Sequence, residues 1–370
     1  MWLVESYRRG DVSLRELCRQ VQVSRKTGYK WIERYAADGI EGLVDRSRAP
    51  HQQGRQVAAE FERAIVVMKR RHRDYGPKKV RALLVAQEPT VVWPAVSTVG
   101  EILARHGLVK PHKRRRKTPV YLPPLLPMTH ANAVWTADIK GQFRTQDERW
   151  CYPLTIADGY SRFVLGCRGM PDLTRVLVWP GFVRAFREYG IPEAIRTDNG
   201  PPFSNRGLGI SKLTVWWWKL GIQHERIEPG HPEQNGRHER MHRTLKAATA
   251  QPPATNLRSQ QRRFDRWRAT FNQARPHEAL GQRPPSAFFV ASARPLPERL
   301  PEVVYPTEYV VRQVRQNGSI KWHSRLIFVC TSLVGEPIGF KQFDEQRWRV
   351  YFARQPIGIF DEHLAKVLPM

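Results

Sequence analysis

The sequence predicts a multidomain fold: all-α helix-turn-helix modules first, then an α/β layer built on a mixed five-stranded sheet, and finally a small β-barrel. Three observations carry this reading. Residues 13–36 hold two short helical patterns joined at VQVS, each opened by a serine. From Asn132 onward, strand and helix patterns follow in the order βββαβαβα. From Tyr305 onward, short alternating strands recur at intervals of about ten residues, with Asn317-Gly318 as a hairpin signal. A chain of 370 residues exceeds what one core usually fills, so two to four domains are expected. The boundaries are read as 1–50 for the first helical module, 51–110 for a second, 111–130 for a linker, 131–295 for the α/β core with a trailing helix, and 305–365 for the barrel.

Composition narrows the partners. The chain carries 61 Lys+Arg against 34 Asp+Glu, a formal charge of +27 and a pI near 10.6. Such an excess attracts polyanions and makes binding steeply salt-dependent through counterion release. Nucleic acid is the expected partner, against the plainer reading of a soluble protein with one basic face. No membrane partner is expected, because no run of about 18 apolar residues exists and Glu5, Arg8 and Arg9 interrupt any signal-peptide core. Cys18, Cys151, Cys167 and Cys330 are scattered, without a CxxC or a Cys/His pair at zinc spacing. They read as small core residues in a reducing cytoplasm.

In chain order, WLVESYRRG is a short first helix. Ser13 caps a second, with Leu14, Leu17, Cys18 and Val21 on one face, and Ser24 caps a third. In that third helix Gly28, Trp31, Ile32 and Tyr35 share a stripe while Arg25, Lys26, Tyr29 and Lys30 project elsewhere, as donors on a recognition helix do. An ordinary helical hairpin with a solvated basic face is the alternative. Residues 38–54 are rich in turn formers and read as a linker. A helix through Phe61, Ile65, Val66 and Met68 follows, then one opened by Pro77 and one capped by Ser97. Lys78, Lys79 and Arg81 either face phosphate, making this a second DNA-binding module, or decorate a purely structural three-helix unit. Beyond it, Lys113, Arg114, Arg115, Arg116 and Lys117 precede TPVYLPPLLP. Proline keeps such a connector extended, and its cations suit a DNA backbone or minor groove as well as a solvated tail.

Within the α/β part, AVWTADIKGQF, RWCYPLTIAD and RFVLGCRGM read as three strands of a meander. A helix is expected from Leu173 to Tyr189, a strand at EAIRTD, a helix from Leu213 to Leu220, a strand at IQHERI, and a helix opening at Pro232. A further helix spans Arg262 to Ala274. Trp216, Trp217 and Trp218 are consecutive, so on a helix they cannot share one face. At least one should enter the core, and another should be free to pack on a partner or stack on a base. In the barrel, Arg312, Arg315, Lys321 and Arg325 make either a DNA clamp or a solubilising surface.

Three carboxylates stand out. Asp138 lies mid-strand, Asp198 follows a strand, and Glu233 opens a helix with 34 residues between it and Asp198. Phosphodiester cleavage and transesterification need an activated water or 3′-hydroxyl, in-line attack and charge relief on the leaving oxygen, all of which a pair of divalent cations supplies. Magnesium takes hard oxygen ligands and keeps waters, so a few carboxylates suffice. Singly, each acid has a plainer role: a half-exposed strand residue, a turn former in Asp-Asn-Gly, a residue favoured by a helix dipole. Asp158, after the second strand, and Glu239, six residues past Glu233, are weaker candidates. Along the last helix Glu233, Arg237, Arg240 and Thr244 fall roughly on one face. His231, Asn235 and His238 beside them orient phosphate or water, or are caps and surface residues.

The motifs TADIKG around Asp138, RTDNGPPF around Asp198, HPEQNGRHER around Glu233 and RPHEALGQRPP from Arg275 to Pro285 resemble those of insertion-sequence transposases with the retroviral-integrase type of core, the DDE family on a ribonuclease-H-like fold. The likeness extends to the helix-turn-helix, DRSRAPH, YGPKKVRALL and NGSIKWHSRLIF, so it covers nearly the whole chain. It implies that Asp138, Asp198 and Glu233 hold two Mg2+ ions, with Mn2+ as a substitute, and catalyse 3′-end cleavage and strand transfer in DNA transposition and recombination. Asp138 would serve both metals, Asp198 one and Glu233 the other. Lys246 and the cations named above would contact double-stranded DNA, transposon ends and target alike. A homodimer or larger synaptic oligomer, in a bacterial cytoplasm and associated with the nucleoid, follows from the same resemblance. The spacing between the last two acids is one residue shorter than is common in the family, with the deletion expected in SNRGLGIS. Two other classes compete: a catalytically inactive or domesticated DNA-binding protein, and a nuclease of the same fold without joining activity.

Overall fold

The structure, a computed structural model, describes residues 1–45, 57–109, 125–139, 141–205 and 207–370. It divides into two compact units, Met1–Ala59 and Glu60–Met370. Residues 113–117, with their five cations, lie outside the described residues, as does part of the turn-rich segment after Asp38.

The first unit holds α1 (Trp2–Arg9), α2 (Leu14–Gln20) and α3 (Arg25–Asp38), followed by a 3-10 turn at Gly39–Leu43. The Ser13 hydroxyl accepts the Glu16 amide at 3.4 Å and the Ser24 hydroxyl accepts the Thr27 amide at 3.1 Å. Both caps satisfy donors that the first helical turn leaves open. Val4, Leu14, Leu17 and Cys18 are buried. Gly28 sets how closely α2 and α3 approach, because a Cβ there would lie 2.4 Å from the Cys18 sulfur and 3.3 Å from Leu14 Cδ1.

In the second unit, α4 (Ala59–Arg71), α5 (Pro77–Gln87) and α6 (Val96–Arg105) form a helical subdomain. Pro77 sits in the first turn of α5, where its missing N–H costs nothing. Ser97 is not the cap of α6; that position is Ala95, and the helix begins one residue before the serine. Arg81 donates to the Pro94 carbonyl at 2.8 Å, a bond internal to the subdomain.

The α/β core follows the expected order. It comprises β1 (Val134–Ile139), β2 (Phe143–Arg144), β3 (Trp150–Asp158), β4 (Val164–Met170), α7 (Arg175–Tyr189), β5 (Ala194–Thr197), α8 (Lys212–Lys219), β6 (Gln223–Arg226), α9 (Gly236–Thr249) and α10 (Leu257–Gln273). The sheet runs β4-β3-β1-β5-β6, with the two-residue β2 as an extra partner of β3. It is mixed: β1 pairs antiparallel with β3 and parallel with β5. Alternation along β1 sends Trp135 and Ala137 into the cluster that holds Phe182 and Phe186 of α7 and Leu213 and Trp217 of α8. Thr136 and Asp138 then face α9. Phe264 and Phe271 of α10 with Met241 and Leu245 of α9 cover Cys151, Val164 and Cys167. All four cysteines are buried and free.

None of the three consecutive tryptophans is left for stacking on a base. Trp216 stacks on Trp179 at 4.2 Å, Trp217 is fully buried, and Trp218 packs toward Phe352 at 6.2 Å in the C-terminal part. Flanking α8, Lys219 pairs with Glu336 at 3.0 Å. One short helix thus faces two cores, with its tryptophans divided between them.

The C-terminal part is not a closed barrel. It is an antiparallel sheet ordered β13-β12-β11-β10-β7, from β7 (Val310–Gln313), β10 (Pro337–Asp344), β11 (Arg347–Phe352), β12 (Gln355–Asp361) and β13 (Lys366–Leu368), accompanied by a hairpin of β8 (Ser319–Trp322) and β9 (Arg325–Phe328). Asn317-Gly318 does make a turn, with Gly318 at φ 79. The strands it joins are not partners: β7 pairs with β10 and β8 with β9. Trp322, Phe340 and Phe360 bury against one another across the two layers, so side-chain packing completes what hydrogen bonding leaves open.

Replacing Gly28 by Val should destabilise the first unit by about 1–3 kcal/mol through overpacking. Amide-exchange protection of α2 and α3 in the full chain would report it, and unchanged protection would remove the close-approach role given to Gly28.

Candidate functional site

The site is built on the two central parallel strands. Their register pairs Val134 with Ala194, Trp135 with Ile195 and Thr136 with Arg196. Asp138 lies one residue before the carboxyl end of β1, and Asp198 directly follows the carboxyl end of the parallel β5. Asp138 is 6% exposed. Asp198 begins the loop after β5, half-buried, and its Oδ1 accepts the Gly200 amide at 3.2 Å. Asn199 ties that loop to β6 by donating to the Ile227 carbonyl at 2.6 Å.

Behind Asp138 lies a buried polar network from α9. His238 and His242, one helical turn apart, face β1 and β3. The Thr155 hydroxyl lies 2.6 Å from His238 Nε2 and 2.5 Å from His242 Nε2, and it donates toward the Asp138 carbonyl at 3.2 Å. Thr136 Oγ1 meets His238 Nδ1 at 2.8 Å, and His242 Nδ1 lies 3.5 Å from the Asp138 carboxylate. Asp138, His238 and His242 each offer a ligand atom within 4.8 Å of the others, the one such cluster of three among the described residues. Mixed carboxylate and imidazole donors suit zinc-like ions better than magnesium, and hydroxyls already engage three of the four imidazole nitrogens.

Glu233 is not drawn into this cluster. It lies in a 3-10 turn, Pro232–Asn235, ahead of α9, exposed, with Oε1 2.7 Å from His231 Nδ1. The hydrogen bond from His231 holds its pKa below the ordinary carboxylate value. Glu239, in the first turn of α9, lies one residue past His238 and three before His242. Asp158 plays a structural part: it accepts the amides of Asn132 and Ser161 at 2.8 and 2.7 Å and the Ser161 hydroxyl at 2.6 Å, while burial raises its pKa.

His224 braces the same region from β6. Its ring sits 2.9 Å from the Thr197 hydroxyl and 3.0 Å from the Thr214 hydroxyl. Thr197 donates to the Asp198 carbonyl at 2.8 Å, so it accepts from His224 Nε2–H and leaves Nδ1 to accept from Thr214. Burial, then the Arg226 charge, lowers the His224 pKa to about 3.

The expected DNA contacts fall in separate places. Arg25, Lys26, Tyr29 and Lys30 are exposed together on α3. Lys79 meets Arg237 and Arg240 along a cavity that Glu233 and Thr244 also line, as the shared helix face predicted. Lys78 is exposed and pairs with Glu278, and Lys246 is exposed on α9 away from that cavity. Two buried residues escaped the sequence reading, which had His238 orienting phosphate or capping and gave His242 no part. The signal was present: His238, Met241, His242, Leu245 and Thr249 form one buried helical stripe.

Comparison with known proteins defines the class. Models described as "Integrase core domain" match residues 128–232 and 220–285, and models of a homeodomain-like domain match residues 3–44 and 27–103. The chain therefore joins homeodomain-like helices to an integrase core. Over 227 residues it is 28% identical to an uncharacterized 39.2 kDa protein of insertion element IS476 from Xanthomonas euvesicatoria, spanning 60% of this chain and 63% of that relative. Over 280 residues it is 25% identical to an uncharacterized 31.7 kDa protein of insertion element IS407 from Burkholderia multivorans, spanning 75% and 91%. Among solved structures, the HTLV-2 integrase catalytic core domain in complex with magnesium matches at 17% identity and TM-score 0.36, covering 44% of this chain and 99% of that one. A chain of a simian T-cell lymphotropic virus intasome in complex with PP2A regulatory subunit B56 gamma matches at 16% identity and TM-score 0.39, covering 77% and 91%. The chain thus carries an integrase core domain and resembles proteins of bacterial insertion elements. No helix among the described residues is long and apolar enough to cross a membrane.

A histidine whose folded pKa lies below its unfolded value loses stabilising power as pH falls, because the unfolded chain takes the proton first. Between about pH 6.5 and pH 3, His224 should cost about 1.4 kcal/mol per pH unit. Urea unfolding of the second unit at pH 7 and pH 5 should differ by about 2 kcal/mol more in the wild type than in His224→Gln. Equal differences would show that His224 is not held neutral.

Proposed function

We propose that the chain is a DDE transposase that binds the terminal repeats of its element, cleaves DNA at the 3′ ends and joins them to target DNA. The observation that supports this best is the parallel pairing of β1 and β5, with Asp138 near the carboxyl end of one strand and Asp198 just past the carboxyl end of the other. Their carboxylates are hard oxygen donors, fitting Mg2+, or Mn2+ in its place. A metal pair held there would activate the attacking water or 3′-hydroxyl and relieve charge on the leaving oxygen. Asp138 binds and is oriented from behind by the Thr155, His238 and His242 network. Asp198 is steadied through Gly200 and Thr197.

The third carboxylate has two readings. Glu233 is the acid expected from the sequence. Glu239 is favoured by a specific observation: α9 docks on β1 through His238 and His242, and Glu239 lies between them in the helix, whereas Glu233 precedes the helix with its carboxylate on His231. In the wider reading, Arg25, Lys26, Tyr29 and Lys30 read the terminal repeat, the connector Lys113, Arg114, Arg115, Arg116 and Lys117 follows its backbone, and two or more copies hold paired ends.

With terminal-repeat DNA and Mg2+, Asp138→Asn and Asp198→Asn should each lower strand cleavage and joining by about a hundredfold or more while DNA binding persists. Strand transfer equal to wild type by Asp198→Asn would sink the mechanism. Glu233→Gln and Glu239→Gln separate the two readings, since only the true third acid should match the aspartate variants. Replacing Arg25, Lys26 or Lys30 by Gln should weaken repeat binding and reduce the slope of log affinity against log salt by about 1 each; unchanged slopes would remove α3 from the interface.

A further inference from the structure

The second unit contains a cavity of about 580 Å³ whose charge is unbalanced. Its cations come from four separate segments: Lys79 from α5, Arg162 from the β3–β4 turn, Arg237 and Arg240 from α9, and Arg275 from the segment after α10, where the neutral His277 also lines the wall. The acids along its wall are engaged elsewhere. Asp158 is taken up by Asn132 and Ser161, Glu233 by His231, and Glu278 by Lys78. Arg275 pairs with Asp74 at 2.7 Å and lies over the Tyr75 ring. Lys79, Arg162, Arg237 and Arg240 make no ion pair among the described residues.

The crowding has a visible electrostatic consequence. Burial, then the Arg275 charge, lowers the Lys79 pKa to about 8. Burial, then Arg237 and Arg240, lowers Arg162 to about 10. His277 falls to about 3 through burial, then Lys79 and Arg275. Its Nε2 is buried without a hydrogen-bond partner among the described residues, while its amide is fixed by donation to the Arg283 carbonyl at 3.2 Å. Cations gathered this closely repel one another, and a bound anion would turn that repulsion into attraction. Guanidinium groups converging from different elements match the oxygens of a phosphate.

We infer that this cavity holds a phosphate oxyanion, supplied in the working protein by a DNA backbone phosphodiester that α5 and the integrase core grip together. The inference rests on the reading of this chain as a DNA-processing enzyme. It gives Arg162, Arg275 and His277 a role that the charge and motif patterns of the chain did not assign, and it makes the RPHEAL segment part of a phosphate clamp.

The test uses the full chain and a short duplex of arbitrary sequence, with binding followed by fluorescence anisotropy over a KCl series. Arg162→Gln and Arg240→Gln should each reduce the slope of log affinity against log salt by about 1, while Arg162→Lys, which keeps the charge, should retain it. Arg187→Gln removes an equal charge from an exposed position on α7 and should leave the slope unchanged. Thermal melts in inorganic phosphate against chloride at equal ionic strength identify the source. A phosphate-induced rise in the wild type that is lost in Arg162→Gln, with equal DNA slopes, would mean that a free phosphate occupies the cavity and would overturn the DNA assignment. Equal slope losses in Arg162→Gln and Arg187→Gln, or no change in either assay, would overturn the site. Normal slopes with no nicking of terminal-repeat DNA would instead count against the transposase reading and leave the cavity standing.

Discussion

The core depends on burying polar groups that satisfy one another between α9 and the central strands. Thr136, Asp138 and Thr155 would each be costly on an apolar sheet face, as would His238 and His242 on the buried side of a helix. Hydrogen bonds join Thr136 and Thr155 to His238 and His242, with the Asp138 carboxylate 3.5 Å from His242 Nδ1, and this set fixes the rotation and axial position of α9 over β1. A helix held only by Met241 and Leu245 could slide by a fraction of a turn at little cost. A shared threonine hydroxyl tolerates no such slip, because moving it would leave buried nitrogens unpaired.

That constraint propagates outward. With α9 fixed, its opposite flank presents Arg237 and Arg240 to the cavity where Lys79 and Arg162 arrive from other segments. With β1 fixed between β3 and β5, Asp138 lies near, and Asp198 just past, the carboxyl ends of two parallel strands. The carboxylates and the cationic cavity thus belong to two sides of the same helix–sheet contact. This suits a protein that must hold a polyanion while working on one of its bonds. On the far side of the sheet, α8 serves the core and the C-terminal part at once.

Much of the fold was legible along the chain, because the information there is periodic and local. The serine caps on α2 and α3, proline at the start of α5, and the strand–helix order of the core each rest on residues within a few positions of one another. Features that depend on partners distant in sequence were not. Asn317-Gly318 specifies a turn but not which strands pair on either side, so the hairpin reading of β7 and β8 failed against the β7–β10 ladder. The tryptophan run predicts an exposed ring because one helix normally has one buried face, whereas the second core that covers α8 is built from residues far downstream, among them Phe340 and Phe352.

By itself, the sequence determined the helical entry, the mixed sheet and the family resemblance, since motif spacing and hydrophobic period survive without coordinates. It also places Asp138 within a strand and Asp198 just after one, since both follow from local pattern. Only the tertiary structure decided which residues stand behind them and which cations converge. His238 and His242 acquire meaning from Thr155, Arg162 acquires it from Lys79 and Arg275, and Glu239 becomes a rival to Glu233 through its place between two anchored histidines. Each of these depends on which faces of separate elements meet, and a periodic pattern states that a face is buried without stating against what.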